Sequence, residues 1–162
     1  MKLYRLERQT LLATDLTSAW RFFSDPRNLA AITPPWLDFR IHSAVPERMY
    51  AGMLVEYRVH PLAGIPLRWI TEITQVREPH FFIDEQRFGP YRFWHHQHRF
   101  EACAGGTAMT DVVHYGLPGD PFSRPLQRWL VAPRLAAIFA YRHEQLSQRL
   151  GLLDTAGPDP NH

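Results

Sequence analysis

The alternation of apolar and polar positions is clearest from Phe82 to Phe100, FIDEQRFGPYRFWHHQHRF. Side chains alternate faces along a strand, so this stretch predicts two strands folded back on each other at Phe88-Gly89-Pro90. Phe82, Asp84 and Gln86 share one face of the first arm. Trp94, His96, His98 and Phe100 share one face of the second. The interior face of a purely structural sheet reads as Val, Ile and Leu. A face carrying aromatics, two imidazoles, a carboxylate and a carboxamide instead marks the polar patch of an otherwise apolar pocket.

The same reading extends along the chain. Residues 2–13 alternate imperfectly and predict an edge or amphipathic strand. Asp15 or Thr17 offers an N-cap to a short helix with Trp20, Phe23 and Phe22 on its apolar side. Pro26 suits the first turn of a second short helix, which Thr33-Pro34-Pro35 ends because a residue before proline leaves the helical region. Strand-like runs follow at 36–44, 53–60, 67–76 and 81–88, then from Tyr91 to Ala102, and after the Gly105-Gly106 turn at 107–117. Gly and Pro separate them, which indicates an antiparallel meander rather than βαβ units. After Pro118-Gly119-Asp120-Pro121 the spacing becomes helical, with Leu135, Ile138, Phe139, Arg142, Leu146 and Leu150 forming one stripe broken by an arginine. Pro133 is expected to kink or divide this region, giving a short helix and then a longer one. The fold class is therefore α+β. A curved antiparallel sheet of six or seven strands, with two short helices after strand 1, closes on a long C-terminal helix around a cavity.

Composition narrows the function classes. At 162 residues the chain fits one domain, residues 1–150, with a frayed tail at 151–162. Apolar residues at 45% and charged residues at 21% are those of a globular protein. The 18 basic and 16 acidic residues are interspersed, which argues against nucleic-acid binding. No apolar run approaches the ~20 residues that span a bilayer, and the first residues lack the apolar region of a signal peptide. The expected location is cytoplasmic. A single cysteine, Cys103, excludes an internal disulfide framework, and no basic neighbour activates its thiol.

The chemistry-bearing candidates are few. His96 and His98 stand ~6–7 Å apart at Cα on one strand face, and Asp84 or Asp111 lies on a neighbouring strand. A metal would need a carboxylate from one of these. The cupin arrangement, which also uses a His-x-His strand, is incomplete here, since Glu101 is one residue short and faces away from His98. Hydrogen-bonded histidines lining a pocket are the simpler reading, and neither metal nor cofactor is expected. Asp84 and Asp111 need partners if they face inward, and His96, His98 and Arg142 supply them. An Asp–His pair would also suit general acid–base chemistry, so these four residues are the catalytic candidates. Trp69, Tyr91, Trp94, Phe100 and Tyr115 are expected on the cavity wall, with Asp84, Gln86, His96, His98 and Asp111 as its polar patch and Arg142 as the helix-borne counter-charge. Trp20, Phe23 and Trp36 belong with the short helices. No nucleophile elbow, P-loop or dinucleotide fingerprint is present.

The hairpin sequence resembles the pattern F-x-D-x-Q-x-x-G-P-Y-x-x-W-x-H-x-H-x-F, found in a bacterial ligand-binding subgroup of the START-related helix-grip superfamily (SRPBCC), which includes the polyketide cyclase/dehydrase-like proteins. IPLRWITEI (65–73), MTDVVHYGLP (109–118) and AIFAYRHEQL (137–146) resemble the same subgroup, so the likeness covers nearly the whole chain. It implies binding of lipids, sterols, polyketides or other apolar small molecules, with enzymes a minority. Some relatives are fused to nucleotide-sugar epimerase-like domains, which implies an epimerase-like partner. The reading adopted is a non-catalytic binding protein for a hydrophobic small molecule. The alternatives are a cyclase, dehydratase or isomerase using a His/Asp pair, and an accessory module for an epimerase-like protein. The sequence assigns no oligomeric state.

Overall fold

The computed structural model describes residues 1–62 and 65–153. Seven strands form a single antiparallel sheet in the order β1-β7-β6-β5-β4-β3-β2. They are β1 (Tyr4–Leu12), β2 (Arg40–Ile41), β3 (Met53–Leu62), β4 (Ile65–Arg77), β5 (Phe81–Phe88), β6 (Phe93–Cys103) and β7 (Gly106–Gly116). From β3 to β7 each strand pairs with the next, as short connections favour. Strand β1 closes one edge against β7, with Tyr4 opposite Tyr115 and Leu12 opposite Thr107. Register shifts between β3 and β4, and twice between β4 and β5, bend the long strands. The sheet thereby curls around one helix.

Helix α1 (Leu16–Phe23) begins where the Asp15 carboxylate accepts hydrogen bonds from the Ser18 backbone N–H and hydroxyl. Pro26–Ile32 follows as a 3-10 helix. The strand expected over 36–44 is mostly absent. Pro35–Leu37 forms a 3-10 turn with proline at its start, and Asp38 adopts a left-handed conformation (φ 41°). Only Arg40 and Ile41 remain to pair with β3. The alternation of Leu37, Phe39 and Ile41 was real, but two consecutive prolines had already committed the backbone to a turn.

The C-terminal helix also departs from expectation. Instead of dividing at Pro133, helical structure runs for 27 residues, from α2 (Arg124–Leu126) through a π-helical turn (Gln127–Val131) into α3 (Ala132–Leu150). A proline ring collides with the carbonyl four residues before it, here Trp129. The wider π turn makes room for that ring without interrupting the run of helical residues. Leu135, Phe139, Arg142 and Leu146 are the buried face of α3. Gly151 (φ 71°) ends the helix, and the chain returns to the sheet edge. There the Ala13 N–H donates to the Gly151 carbonyl and the Leu153 N–H to the Leu11 carbonyl. Residues 151–153 are therefore fastened to β1 rather than frayed, because an edge strand has free peptide groups to offer. The remainder of the expected tail lies outside the described residues.

Two apolar clusters fill the ends of the space between sheet and helix. One joins Leu12, Trp20, Phe82, Phe100, Met109 and Leu146, with Trp20 packed edge-on against both phenylalanines. The other joins Val113, Tyr115, Leu135 and Phe139. The polar residues of the β5–β6 hairpin lie between them. No helix is long and apolar enough to cross a membrane among the described residues.

Candidate functional site

Strand register builds the centre of the site. Asp84 stands opposite His96 in the β5–β6 ladder, and His98 stands opposite Asp111 in the β6–β7 ladder. All four side chains share the inward face, as period-two alternation requires. The hydrogen bonds run along the diagonals. The His98 Nε2–H donates to Asp84 Oδ2 at 2.8 Å and the His96 Nε2–H to Asp111 Oδ1 at 2.9 Å. His96 Nδ1 is 3.4 Å from Asp84 Oδ2. His98 Nδ1 is 2.9 Å from Asp111 Oδ1, too far off axis for a hydrogen bond. The imidazole centroids are 3.8 Å apart. Phe82 stacks on His98 from one core cluster, and Phe139 meets His96 edge-on from the other. From α3, Arg142 brings Nη1 to 4.0 Å from Asp111 Oδ2, while its buried Nε has no hydrogen-bond partner.

Burial opposes every charge in this cluster, so the charged states persist only through mutual contact. Burial would push Asp111 up, but the hydrogen bond from His96, the close contact with His98 and the charge of the imidazoles hold it far below the ordinary carboxylate value. Asp84 is held down in the same way, by the charge of His96 and the hydrogen bond from His98. For His98, burial is outweighed by its contacts with Asp111 and Asp84, and its value rises. His96 moves the other way, because burial and the adjacent His98 charge outweigh the pull of the carboxylates. Two touching imidazoles are thus driven apart in acidity, one toward the cation and one toward the neutral base.

This cluster forms part of the wall of a cavity of about 360 Å³. Asp84, His96, His98 and Arg142 reach its surface; Trp69, Tyr91, Trp94, Val55, Tyr57 and Phe139 supply apolar and aromatic wall. Trp69 meets Trp94 at right angles with centroids 5.3 Å apart, and its indole N–H is satisfied by Thr71 Oγ1 at 3.0 Å. Asp111 lies behind the imidazoles and lines a second cavity of about 300 Å³ between β1 and α3, together with Thr10, Arg8 and His143. Phe139 and Arg142 border both cavities.

Besides Asp111, three of the residues expected to line the cavity are elsewhere. Gln86 clasps the hairpin, its Nε2–H donating to the Tyr91 carbonyl and its Oε1 accepting from the Tyr91 N–H. Phe100 is fully buried in the cluster around Trp20. Tyr115 packs between Tyr4 and Tyr91 and accepts a hydrogen bond from Gln127. Conversely, the wall uses Tyr57, which sequence reasoning passed over. Burial and the nearby Asp84 charge push its hydroxyl well above the ordinary tyrosine value. The alternation of Met53, Val55, Tyr57 and Val59 against Leu54, Glu56 and Arg58 was the available signal. Asp84, His96 and His98 also offer one ligand atom each within 4.8 Å of one another. Those atoms are already engaged in carboxylate–imidazole contacts, which any bound cation would have to break.

An antiparallel sheet wrapped around one long helix, with an aromatic cavity between them, defines a helix-grip protein. The model of the polyketide cyclase/dehydrase and lipid transport family matches residues 13–139. The chain belongs to that family, within the START-related SRPBCC superfamily. Among solved structures it is similar to protein Ms6760 from Mycobacterium smegmatis, with 20% identity, TM-score 0.65, and 91% of this chain and 95% of that chain covered. Protein CV1439 from Chromobacterium violaceum aligns at 12% identity and TM-score 0.68, covering 92% and 96% of the two chains. The major latex-like protein 151 of Panax ginseng aligns at 14% identity and TM-score 0.66, covering 91% and 97%. These likenesses are of fold. No curated protein matches the sequence significantly.

Proposed function

We propose that the protein binds a hydrophobic small molecule, of lipid, polyketide or aromatic type, in the cavity between the sheet and α3. One observation carries this reading: a mainly apolar wall rich in tryptophan and tyrosine holds one cluster of touching ionisable groups, Asp84, His96 and His98, with Arg142 beside them. Such a lining desolvates a large apolar body while a few convergent polar groups fix its orientation. Trp69, Tyr91 and Trp94 present flat faces suited to a planar ring system. The accessory-module reading, with the sheet serving as structure only, anticipates a filled core, and a cavity of about 360 Å³ favours the ligand reading over it. Native mass spectrometry of the protein as purified, followed by denaturing extraction, tests the proposal. A released organic molecule whose retention is lost in Trp69→Ala supports it. An apo protein that also fails to enhance the fluorescence of anilinonaphthalene sulfonate overturns it.

A second reading, a cyclase-, dehydratase- or isomerase-type enzyme, draws on the opposed acidities of His96 and His98 at the cavity surface. Neighbouring groups pushed apart in this way can serve as base and acid in one turnover. Neutral His96 would accept a proton from a bound ligand and His98 would return one, with both carboxylates remaining ionised. Under this reading His98→Gln abolishes turnover of the identified ligand while leaving its affinity within a few-fold. A pure binding protein shows no turnover to lose.

A further inference from the structure

We propose that the end of the molecule at which the cavity opens docks on an anionic phospholipid surface. The mouth is identified by the exposed residues in the cavity wall, Trp36, Pro90, Pro118 and Leu126. Pro90 lies between β5 and β6, Pro118 where β7 runs into α2, and Leu126 in α2. Trp36 lies in the 3-10 turn before β2, against Arg134 of α3. Strand pairing brings the start of β4 to the same end, beside the end of β5. Among the described residues, eleven large apolar side chains are exposed, and all but Tyr50 and Leu54 lie at this end. The most prominent are Phe122 and Trp129, 90% and 74% exposed, with Leu126 between them in sequence at 50%. A water-soluble monomer rarely gathers its exposed aromatics at one pole, and such a patch marks a contact surface.

The charges at this pole choose the partner. Arg128 lies over the Trp129 ring at 5.1 Å, and Arg134 lies over the Trp36 ring at 5.2 Å. Of the pole's cations, Arg124 is paired with Asp120. Among the described residues no carboxylate lies within ion-pair distance of Arg92, Arg128 or Arg134. Exposed aromatics edged by uncompensated guanidinium groups form the composition of a surface-lying membrane element, in which rings enter the acyl boundary and arginines remain among phosphates. A second copy of the chain is a poorer occupant, because a two-fold contact would set the same unpaired arginines against each other. The proposal stands independently of what the cavity binds.

The test is co-sedimentation with vesicles of phosphatidylcholine and phosphatidylglycerol in equal parts, set against vesicles of phosphatidylcholine alone. The intact protein is expected to sediment with the mixed vesicles, less with the neutral ones, and progressively less as salt rises. Phe122→Ser combined with Trp129→Ser should lower partitioning by about tenfold or more. Arg128→Glu combined with Arg134→Glu should do the same by charge reversal. Phe122 and Trp129 are exposed, so an unchanged melting temperature shows that loss of binding is not loss of fold. Failure of the intact protein to sediment with mixed vesicles overturns the proposal, as does binding that both double variants leave unchanged. Concentration-dependent dimerisation in sedimentation velocity that disappears in the Phe122/Trp129 variant also overturns it, because the patch then belongs to a second copy.

Discussion

Asp111→Asn is the substitution that bears most directly on the buried network. Asp111 is 4% exposed, accepts from His96 at 2.9 Å, lies 2.9 Å from His98 Nδ1, and has Arg142 4.0 Å away. The amide conserves shape and removes the charge, leaving Asp84 alone to balance the His98 cation and Arg142. Removing one partner of a buried, hydrogen-bonded charge group costs ~3–5 kcal/mol, a large share of the ~5–15 kcal/mol that holds a domain folded. The cost depends on pH with a definite sign. His98 is raised above its ordinary value of 6.5, so the stability it contributes is complete below that value and is lost as pH rises through its folded value. His96, held down, works against it on the acid side. Asp84 and Asp111 contribute above the ordinary carboxylate value of 3.8 and lose that contribution on acidification. Urea unfolding at about pH 6 and at a pH above the folded value of His98, located by NMR titration of its imidazole, measures the difference. The expected loss is ~3–5 kcal/mol at the lower pH. At the higher pH the imidazoles are neutral and an amide can pair with them, so the loss shrinks toward the ~1 kcal/mol of an ordinary hydrogen bond. Equal losses at the two pH values, or a loss below ~1 kcal/mol at both, would refute the charge assignment.

Gln86→Ala removes both hydrogen bonds to the Tyr91 backbone, and ~1–3 kcal/mol of stability is expected to go with them; because Gln86 lies off the cavity wall, affinity for the bound molecule should stay within a few-fold by titration calorimetry. A Cβ at Gly106 would sit 1.9 Å from the Leu12 carbonyl oxygen, which is backbone and cannot rotate away, so Gly106→Ala should cost ~3 kcal/mol or more in chemical denaturation. Leu146→Ala, at a position 1% exposed, should cost ~2–5 kcal/mol by the same assay. A fluorescence titration of Arg142→Met should show weaker binding of carboxylate-bearing apolar probes than of their methyl esters, since Arg142 Nε is a donor beside the cavity with no hydrogen-bond partner among the described residues.

Much of the fold was legible because local signals agreed with one another. The hairpin was fixed by Gly89-Pro90 and by strict alternation on both arms, and that parity alone placed Asp84, His96 and His98 on one inward face. The register that completes the network could not be read in the same way. The diagonal bonds depend on His98 lying opposite Asp111 and Asp84 opposite His96, which is a property of paired strands. Gln86 shares the parity of Asp84, yet it sits one step from the turn, where the nearest unsatisfied groups are the backbone atoms of Tyr91. Phe100 likewise has the right parity, but it falls beyond the cavity's closed end, under Trp20. Parity gives the face, and depth along the strand decides between wall and core. Pro133 misled for another reason: a π turn accommodates the ring without a break, and its hydrogen-bond pattern leaves no trace in apolar spacing.

The bonds that tie Gly151 and Leu153 to Ala13 and Leu11 make the helix a lever with its fulcrum at the closed end of the cavity. A 27-residue helix extends roughly 40 Å, so a tilt of only about 10° at the fulcrum carries the far tip through roughly 7 Å. The tip is α2 followed by the π turn, and the side chains of both include no buried residue. A tilt of that kind would widen the cavity at the end away from the fulcrum without breaking a rung of the sheet's ladder. Amide exchange along the helix should then run as a gradient, fastest near Leu126 and slowest near Leu146.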